Sequence, residues 1–127
     1  PLIEDQRFRE KIAAIEVELK ALEMTQLRVV AADAKRGATG RPDPASSYLK
    51  IKGSEIQQAT THLLMEVMGP YAMPYQPEAD EFSNEPPIGP GYGSHAAPSY
   101  FNNRKVSIYG GSNEIQKNII AKAVLGP

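Results

Sequence analysis

Apolar side chains keep the spacing of an α-helix through the first part of the chain, from about Ile3 to Arg36. Successive apolar positions step by four, three, four and three residues, which traces one face of a helix. This first stripe comprises Phe8, Ile12, Ile15, Leu19 and Leu22, and a second comprises Val17, Met24 and Ala31. Asp5 is suited to cap the start, and the end is marked by Gly37, Gly40 and Pro42. A helix with two apolar faces usually packs between neighbours, so the sequence predicts a long helix of a bundle.

A second helix is predicted from a cap at Ser46 or Ser47 to about Met68, after a turn at 41–44. Its apolar face comprises Leu49, Ile56, Leu63 and Val67. Another, polar face comprises Lys50, Lys52, Glu55 and Gln57. Gly53 interrupts the helix at a cost of roughly 1 kcal/mol relative to alanine, so we expect a close helix contact there. Gly69-Pro70 is predicted to stop the helix.

Residues 71–99 differ from the rest in composition. Prolines are concentrated in or beside this segment, at Pro70, Pro74, Pro77, Pro86, Pro87, Pro90 and Pro98. Such a segment is not expected to form a regular element, and long loops in compact domains tend to be functional or disordered. Its aromatic residues suggest that part of it packs down: Tyr71, Tyr75, Phe82 and Tyr92, with Tyr100 just beyond. We expect an ordered active-site or interface loop with a mobile portion.

The last helix is predicted to begin at Ser112, a natural N-cap, and to run to about Val124. Glu114 lies in its first turn, where the helix dipole favours an acid, and Gly126-Pro127 ends it. Its buried side is expected to comprise Ile115, Ile119, Ile120, Ala123 and Val124. The fold class that follows is all-α, an up-and-down bundle of three long helices with one long Pro/Gly-rich loop. This is an incomplete four-helix bundle, and residues 1–127 are expected to form one domain.

Composition and charge exclude several classes of function. The chain has 14 basic and 15 acidic side chains, so no electrostatic case arises for nucleic acid or an anionic membrane. It has no cysteine, which excludes disulfides, thiolate nucleophiles and Cys-ligated metals, and we expect no metal site. No apolar run approaches the length of a membrane span, and the start lacks signal-peptide character, so a cytoplasmic protein is the default expectation. Because it begins at Pro1 without Met, we expect a fragment or a processed chain.

Tyr109-Gly110-Gly111-Ser112 combines a close backbone approach with the start of a helix. Free N–H groups point out of a helix N-terminus, where they bind phosphates or polarise a carbonyl oxygen. On these four residues alone, a simple helix cap explains the pattern better than a ligand-binding site does.

The longer string from Ile108 to Ala121 is far more specific. It reads I-Y-G-G-S-N-E-I-Q-K-N-I-I-A and resembles the C-terminal signature of acyl-CoA dehydrogenases, roughly I-Y-E/G-G-T/S-x-E/Q-I-Q-R/K-x-I-I-A. About a dozen positions agree in order and spacing. Arg104 matches an arginine that the family has five residues before the tyrosine, and 49–55 resembles its penultimate helix. Residues 65–70 fall where the family usually has a Gln-x-x-Gly-Gly motif.

The resemblance implies a fragment of an FAD-dependent acyl-CoA dehydrogenase. Such an enzyme removes the α-proton of an acyl-CoA thioester and transfers a hydride from the β-carbon to FAD. Carried over by position, Gly110 offers its N–H to the thioester oxygen and Gly111 touches the substrate. Ser112, Asn113 and Glu114 are then expected to line the FAD, with further contacts from Glu66 and Gly69. The resemblance also implies an electron acceptor such as an electron-transfer flavoprotein, and assembly into a homo-oligomer or hetero-oligomer.

Three departures from the family pattern bear on the function. Gly110 stands where many members carry the catalytic glutamate, so no catalytic residue is predicted in this chain and the base is expected outside it. Glu66 and Pro70 replace the usual glutamine and second glycine, which puts the expected cross-subunit FAD contact in question. The loop between Gly69 and Tyr109 is longer than is common in the family by more than a dozen residues.

Two other functions therefore stay open beside the dehydrogenase. One is a non-catalytic partner subunit or helical assembly module, because the base is absent. The other is a related flavoenzyme, such as an acyl-CoA oxidase or a nitroalkane oxidase. Of the remaining polar residues, Arg104 is suited to bind phosphate or to fix the loop, or else to form a salt bridge inside the bundle. His62 is expected at the surface without a ligand role.

Overall fold

A computed structural model describes residues 1–37, 43–76 and 86–126. These ranges contain helices and no strand, which confirms the all-α class. The α-helices are α1 (Gln6–Arg36), α2 (Ala45–Met68), α3 (Ala96–Asn102) and α4 (Asn113–Leu125). Short 3-10 segments cover Leu2–Glu4, Gly69–Ala72, Gly91–Gly93 and Asn103–Ser107. The central helix is α2, which contacts each of the other three.

The ends of α1 follow the local signals in the sequence. The Asp5 carboxylate accepts a hydrogen bond of 2.8 Å from the Phe8 amide, which confirms the predicted cap. The helix begins at Gln6, later than expected, because Leu2–Glu4 forms a 3-10 turn. At the other end, the Gly37 amide donates to the Asp33 carbonyl. Gly40 and Pro42 lie outside the described residues.

Only one of the two apolar stripes of α1 is covered within the described chain. Phe8 is buried on the first stripe, and Val29 extends that face one heptad beyond Leu22. Leu19 belongs to the same predicted stripe but is 52% exposed. Val17 and Met24, on the second stripe, are also exposed. The reason is that α1 packs on α2 along one side, and no other long helix of the described chain covers its opposite side.

The start of α2 differs from the prediction. The helix begins at Ala45, and neither Ser46 nor Ser47 caps it. Instead the Asp43 carboxylate accepts from the Ala45 amide at 2.9 Å, and the Ser46 hydroxyl donates to the Asp43 carbonyl at 2.7 Å. The Asp43 carboxylate, two residues before Ala45, thus satisfies a free amide of the first turn of α2. Ser47 is then not needed as a cap, and it is buried against the bundle.

The faces of α2 are also used differently from the prediction. Its buried residues are Ser47, Ile51, Ser54 and Met68. The predicted apolar face is only partly covered, and Val67 is exposed. The two lysines assigned to a polar face both make contacts between helices: Lys50 with α4 and Lys52 with Glu18 of α1. Because α2 has neighbours on several sides, its polar residues are needed at the contacts as well as on the surface.

The predicted loop 71–99 contains more regular structure than expected. The 3-10 segments at Gly69–Ala72 and Gly91–Gly93 and the start of α3 lie partly or wholly inside it. Pro98 is tolerated in α3 because it occupies the first turn, where its missing N–H has no helical partner. The segment 77–85 lies outside the described residues, and with it Phe82.

Small residues pack this loop against the bundle, and Tyr100 just beyond it contacts His62 of α2. Ala72 and Ala96 form a buried cluster with Met68, and Met65 packs against it. Tyr75 and Tyr92 are exposed.

The predicted buried side of α4 is wrong for the described chain. Ile115 is 54% exposed, Ile119 and Val124 are exposed as well, and α4 has no buried residue. The helix runs along α2 only, so its apolar residues on the opposite side have no covering element among residues 1–37, 43–76 and 86–126.

Candidate functional site

The glycine turn (Tyr109–Ser112) links the 3-10 segment Asn103–Ser107 to α4. Before it, the amides of Ile108 and Tyr109 both donate to the Lys105 carbonyl, at 2.9 and 3.2 Å. The chain then reverses through two positive φ angles, 69° at Gly110 and 87° at Gly111. Residues other than glycine rarely adopt this left-handed backbone conformation, so the turn requires glycine at both positions.

Two side chains hold the far end of the turn onto α4. The Ser112 hydroxyl accepts from the Ile115 amide at 3.4 Å, which confirms Ser112 as the N-cap. The Gln116 side-chain amide reaches back and donates to the Gly110 carbonyl at 3.2 Å. The turn is therefore fixed by its own local hydrogen bonds.

The amides of Gly110 and Gly111 remain available to a ligand. Both residues are exposed, and neither amide has an acceptor among the residues that the structure describes. They lie at the N-terminus of α4, where the helix dipole adds partial positive charge. Such a pair of donors suits a carbonyl oxygen or another electron-rich group.

Glu114 lies beside these donors in the first turn of α4. A hydrogen bond from its own backbone amide holds the pKa of the Glu114 carboxyl below its usual value of 4.5. A hydrogen bond with the Ser112 side chain and the charges of Lys117 and Lys50 act in the same direction. Glu114 is therefore an ionised hydrogen-bond acceptor at neutral pH, which suits hydroxyl and amino groups better than a phosphate.

Asn113 faces α2 and not the surface of the turn. Its side-chain oxygen accepts from the Lys50 ammonium at 2.8 Å. Its side-chain nitrogen donates to the Ser54 hydroxyl at 3.1 Å, and that hydroxyl donates to the Ile51 carbonyl at 2.7 Å. Of the three residues predicted to line a flavin, Asn113 thus has its polar atoms engaged within the domain.

Glu66 and Gly69 lie away from the glycine turn. Sixteen residues of α2 separate Lys50 from Glu66, which is about 24 Å at the helical rise of roughly 1.5 Å per residue. The Glu66 carboxylate pairs with Lys11 of α1, and His62 approaches it at 3.5 Å. The structure therefore brings Gly110, Gly111, Ser112 and Glu114 together and does not bring Glu66 or Gly69 to them.

Arg104 fixes the segment that leads into the turn. Its guanidinium donates to the Gln58 carbonyl at 3.1 Å and to the Thr61 hydroxyl at 3.3 Å. It also stacks over the Tyr100 ring, 4.3 Å from the ring centre. Of the roles considered for Arg104, fixing the loop agrees with these contacts, which involve neutral groups. His62 is exposed, as expected, and lies against the same ring.

A polar row on α2, not predicted from the sequence, faces the segment 100–113. The row comprises Lys50, Ser54, Gln58 and Thr61. Gln58 donates to the carbonyls of Asn103 and Arg104, both at 3.2 Å, and so continues the contacts that Lys50 and Ser54 make with Asn113. The sequence does carry a signal for this row, because its four hydrogen-bonding residues follow one another at steps of four, four and three, which places them on one face of a helix.

The described part of the chain offers neither a metal cluster nor a membrane span. It contains no group of three or more His, Cys, Asp or Glu side chains arranged to hold a metal ion. None of its helices is both long and apolar enough to cross a bilayer.

Comparison with known proteins gives one match. No curated protein and no solved structure matches the chain. The family model described as "Acyl-CoA dehydrogenase, C-terminal domain" matches residues 1–125, which is nearly the whole chain. Its match spans the four helices and the glycine turn, in agreement with the resemblance of 108–121 to the family signature. The chain therefore belongs to the acyl-CoA dehydrogenase family, as a C-terminal domain of that family.

Proposed function

We propose that this domain contacts substrate and FAD in an acyl-CoA dehydrogenase that forms an α,β double bond in acyl-CoA thioesters. The reaction takes a proton from the α-carbon and a hydride from the β-carbon. FAD, when it is bound, supplies the acceptor for that hydride. The observation that carries the proposal is the pair of exposed amides at Gly110 and Gly111, presented at the start of α4.

The role of this chain in proton removal is to stabilise developing negative charge. A thioester carbonyl oxygen that accepts from the Gly110 amide gains negative charge as the α-proton leaves. Because the amide is fixed by the turn before the substrate arrives, it needs no reorganisation when that charge develops. Gly111 has no side chain because the Gln116 side chain occupies that space: a Cβ on Gly111 would lie 2.6 Å from Gln116 Nε2.

The polar groups at the start of α4 fit one edge of a flavin nucleotide. The Ser112 hydroxyl and the ionised Glu114 carboxylate suit the hydroxyl and amino groups of such a ligand. Asn113 supports this edge from behind through Lys50 and Ser54. Glu66 and Gly69 would act at a separate part of the cofactor or toward a second subunit.

The base comes from outside the described residues in this proposal. Gly110 has no side chain, and hydrogen bonds at the helix start lower the pKa of the Glu114 carboxyl, which makes it a weaker base. A carboxylate from another segment of the full-length enzyme would take the α-proton.

A pair of matched glycine variants tests the role of the turn in the full-length protein. Gly110 and Gly37 have nearly the same φ, 69° and 71°, and a Cβ on either would meet no atom within 4 Å. An alanine at either position is therefore strained by its positive φ, at a cost on the order of 1–3 kcal/mol. Gly37 lies at the end of α1, away from the turn, and serves as the control.

The expected results differ sharply in activity. Alanine keeps the backbone N–H but is strained at a φ of 69°, so the amide would turn away from the thioester oxygen. With acyl-CoA and an artificial electron acceptor, Gly110→Ala should therefore lower kcat/KM by about 10²-fold, the loss expected from a misplaced catalytic group. Gly37→Ala should leave kcat/KM unchanged. Equal activity of the two variants would contradict a role for the Gly110 amide.

Retention of flavin is tested by a second matched pair. Glu114→Gln should lower the amount of FAD that copurifies, because it replaces a charged acceptor by a neutral one. Glu16→Gln changes an exposed carboxylate on α1, a different helix, and should leave the FAD content unchanged. The same FAD content in both variants would remove Glu114 from the flavin site.

A non-catalytic partner subunit is the second candidate, and two observations favour it. The position that carries the base in many members is Gly110 here, and α4 presents a largely exposed apolar side suited to assembly. In that case the full-length protein would show no turnover with any acyl-CoA but would associate with an active homologue. Sedimentation of the full-length protein should reveal a dimer or higher oligomer for either candidate, and a monomer at high concentration would contradict both.

A further inference from the structure

The strongest unassigned feature is the way Lys50 holds both ends of the glycine turn. Its ammonium donates to the Asn113 side chain at 2.8 Å and to the Ser107 carbonyl at 3.3 Å. Ser107 is the last residue of the 3-10 segment before the turn, and Asn113 is the first residue of α4 after it. One side chain of α2 thus spans the reversal of the chain.

We propose that Lys50 is a positioning residue, which sets the separation of the two arms of the glycine turn and thereby the direction of the Gly110 amide. The inference rests on the proposed function for its effect on catalysis, but its structural part stands separately.

The hydrogen bonds around Lys50 make this arrangement specific. The Asn113 oxygen faces the ammonium, while the nitrogen of the same amide donates to Ser54. The Ser54 hydroxyl is itself anchored on the Ile51 carbonyl, and Ser54 is buried. Asn113 is therefore held at both polar atoms, and the first residue of α4 cannot rotate without breaking these contacts.

Local hydrogen bonds within the turn do not provide the same constraint. Ser112 and Gln116 tie the turn to α4, and Lys105 accepts from Ile108 and Tyr109 on the other arm. Neither set of hydrogen bonds joins Ser107, before the turn, to Asn113, after it. Lys50 does, and it does so from α2, the helix that the rest of the domain packs around.

Lys52 provides a matched control two residues along the same helix. Its ammonium pairs with Glu18 of α1 at 2.8 Å and with Glu55 at 3.2 Å, on the side of α2 away from α4. Lys50→Met and Lys52→Met therefore each remove one cation and its contacts between helices. Only the first removes a contact with the turn.

The test uses the full-length protein with four variants: Lys50→Met, Lys50→Arg, Lys52→Met and Asn113→Ala. The first measurement is hydrogen exchange at the amides of Tyr109 and Gln116, one on each arm of the turn. We expect faster exchange in Lys50→Met and near wild-type exchange in Lys52→Met. Lys50→Arg should restore protection, because a guanidinium can still donate to both oxygens.

The second measurement separates positioning from loss of folded enzyme. Misplacement of the Gly110 amide should lower kcat/KM by on the order of 10-fold to 100-fold. It should also raise the isotope effect with acyl-CoA deuterated at the α-carbon, because proton removal becomes slower than the other steps. A smaller folded fraction lowers the rate without changing the isotope effect. Lys50→Arg should recover the wild-type value.

The outcomes distinguish the two levels of inference. If Lys50→Met leaves exchange at Tyr109 and Gln116 unchanged, or if Lys52→Met changes it equally, the positioning role is overturned. If exchange responds but the isotope effect does not, Lys50 is a structural residue only and the proposal is likewise overturned. If the wild-type protein turns over no acyl-CoA, the proposed function fails, while exchange still decides whether Lys50 sets the turn. Should Lys50→Met not fold, Asn113→Ala removes the same acceptor and must give the same pattern.

Discussion

Replacing Gly93 with alanine would place a methyl group inside the most enclosed part of the domain. A Cβ at Gly93 would lie 1.8 Å from Cε and 2.4 Å from Sδ of Met68. The end of a methionine is flexible, but Met68 is only 3% exposed and is packed with Ala72 and Ala96. Either Met68 must leave its place or the 3-10 segment Gly91–Gly93 must move away from α2. Both responses cost stability.

The expected magnitude follows from this overlap. Forcing an extra methyl group into a packed core costs about 1–3 kcal/mol, and here two atoms of Met68 must give way. Gly93 does not have a positive φ, so strain of the backbone adds nothing to the effect. We therefore expect Gly93→Ala to lower the free energy of unfolding by about 2 kcal/mol.

Gly53→Ala is the matched control and should have the opposite sign. A Cβ at Gly53 would lie 4.0 Å from Cδ2 of Leu22, which is ordinary van der Waals contact. Since Gly53 is in the interior of α2, alanine there should raise the free energy of unfolding by roughly 0.5–1 kcal/mol. The sequence-based expectation of a close helix contact at Gly53 is therefore wrong, because Leu22 of α1 leaves room for a methyl group there.

The assay is urea unfolding of the 127-residue chain, followed by circular dichroism. Met68→Ala alone should cost about 2–5 kcal/mol by leaving a cavity, and the methyl group that Gly93→Ala introduces should then enter part of that space. The double variant must therefore be more stable than the sum of the two single effects predicts. Strict additivity, or a Gly93→Ala variant as stable as wild type, would refute this account of the loop packing.

Three further predictions concern single contacts. Asp5→Ala should lower the free energy of unfolding by about 1 kcal/mol through loss of the N-cap of α1, whereas Asp5→Asn should retain most of it; urea midpoints compare the two. Arg104→Lys should cost about 1 kcal/mol, because an ammonium cannot reproduce both the stacking on Tyr100 and the forked contacts with α2. The lowered pKa of Glu114 should stabilise the folded state above the usual value of 4.5 and cease to do so as the pH falls through the lowered pKa. Glu114→Gln should therefore be less stable than wild type at pH 7 and equal to it at low pH; a difference that persists in acid would contradict the ionised role.

The family assignment and the local structure were both accessible from the sequence. Asp5 and Ser112 cap helices because a short polar side chain can satisfy the free amides two or three residues ahead of it. Gly37 ends α1 through a local feature as well: it adopts a positive φ and its amide donates to the Asp33 carbonyl. The glycine turn at 110–111 is predictable from the residues and is present with two positive φ angles. Each of these features depends on residues close together in the chain.

Burial was predicted less well because it depends on which helices become neighbours. The pattern of α4 is amphipathic in the sequence, yet Ile115 and Ile119 face outward in the described chain. The second stripe of α1 does the same at Val17 and Met24. A periodic pattern shows that a helix has an apolar face but does not show which element covers it.

At the candidate site, too, the local conformation was predictable from the sequence and the contacts between helices were not. The sequence by itself determined that 109–112 form a turn followed by a helix, and its match to a family signature identified the kind of domain. Only the tertiary structure decided that Asn113 faces α2 and that Lys50 joins the two arms. More than 50 residues separate Lys50 from both of its acceptors along the chain, 57 for Ser107 and 63 for Asn113. Contacts at such separation arise from the packing of α2 against α4, and no local pattern encodes them.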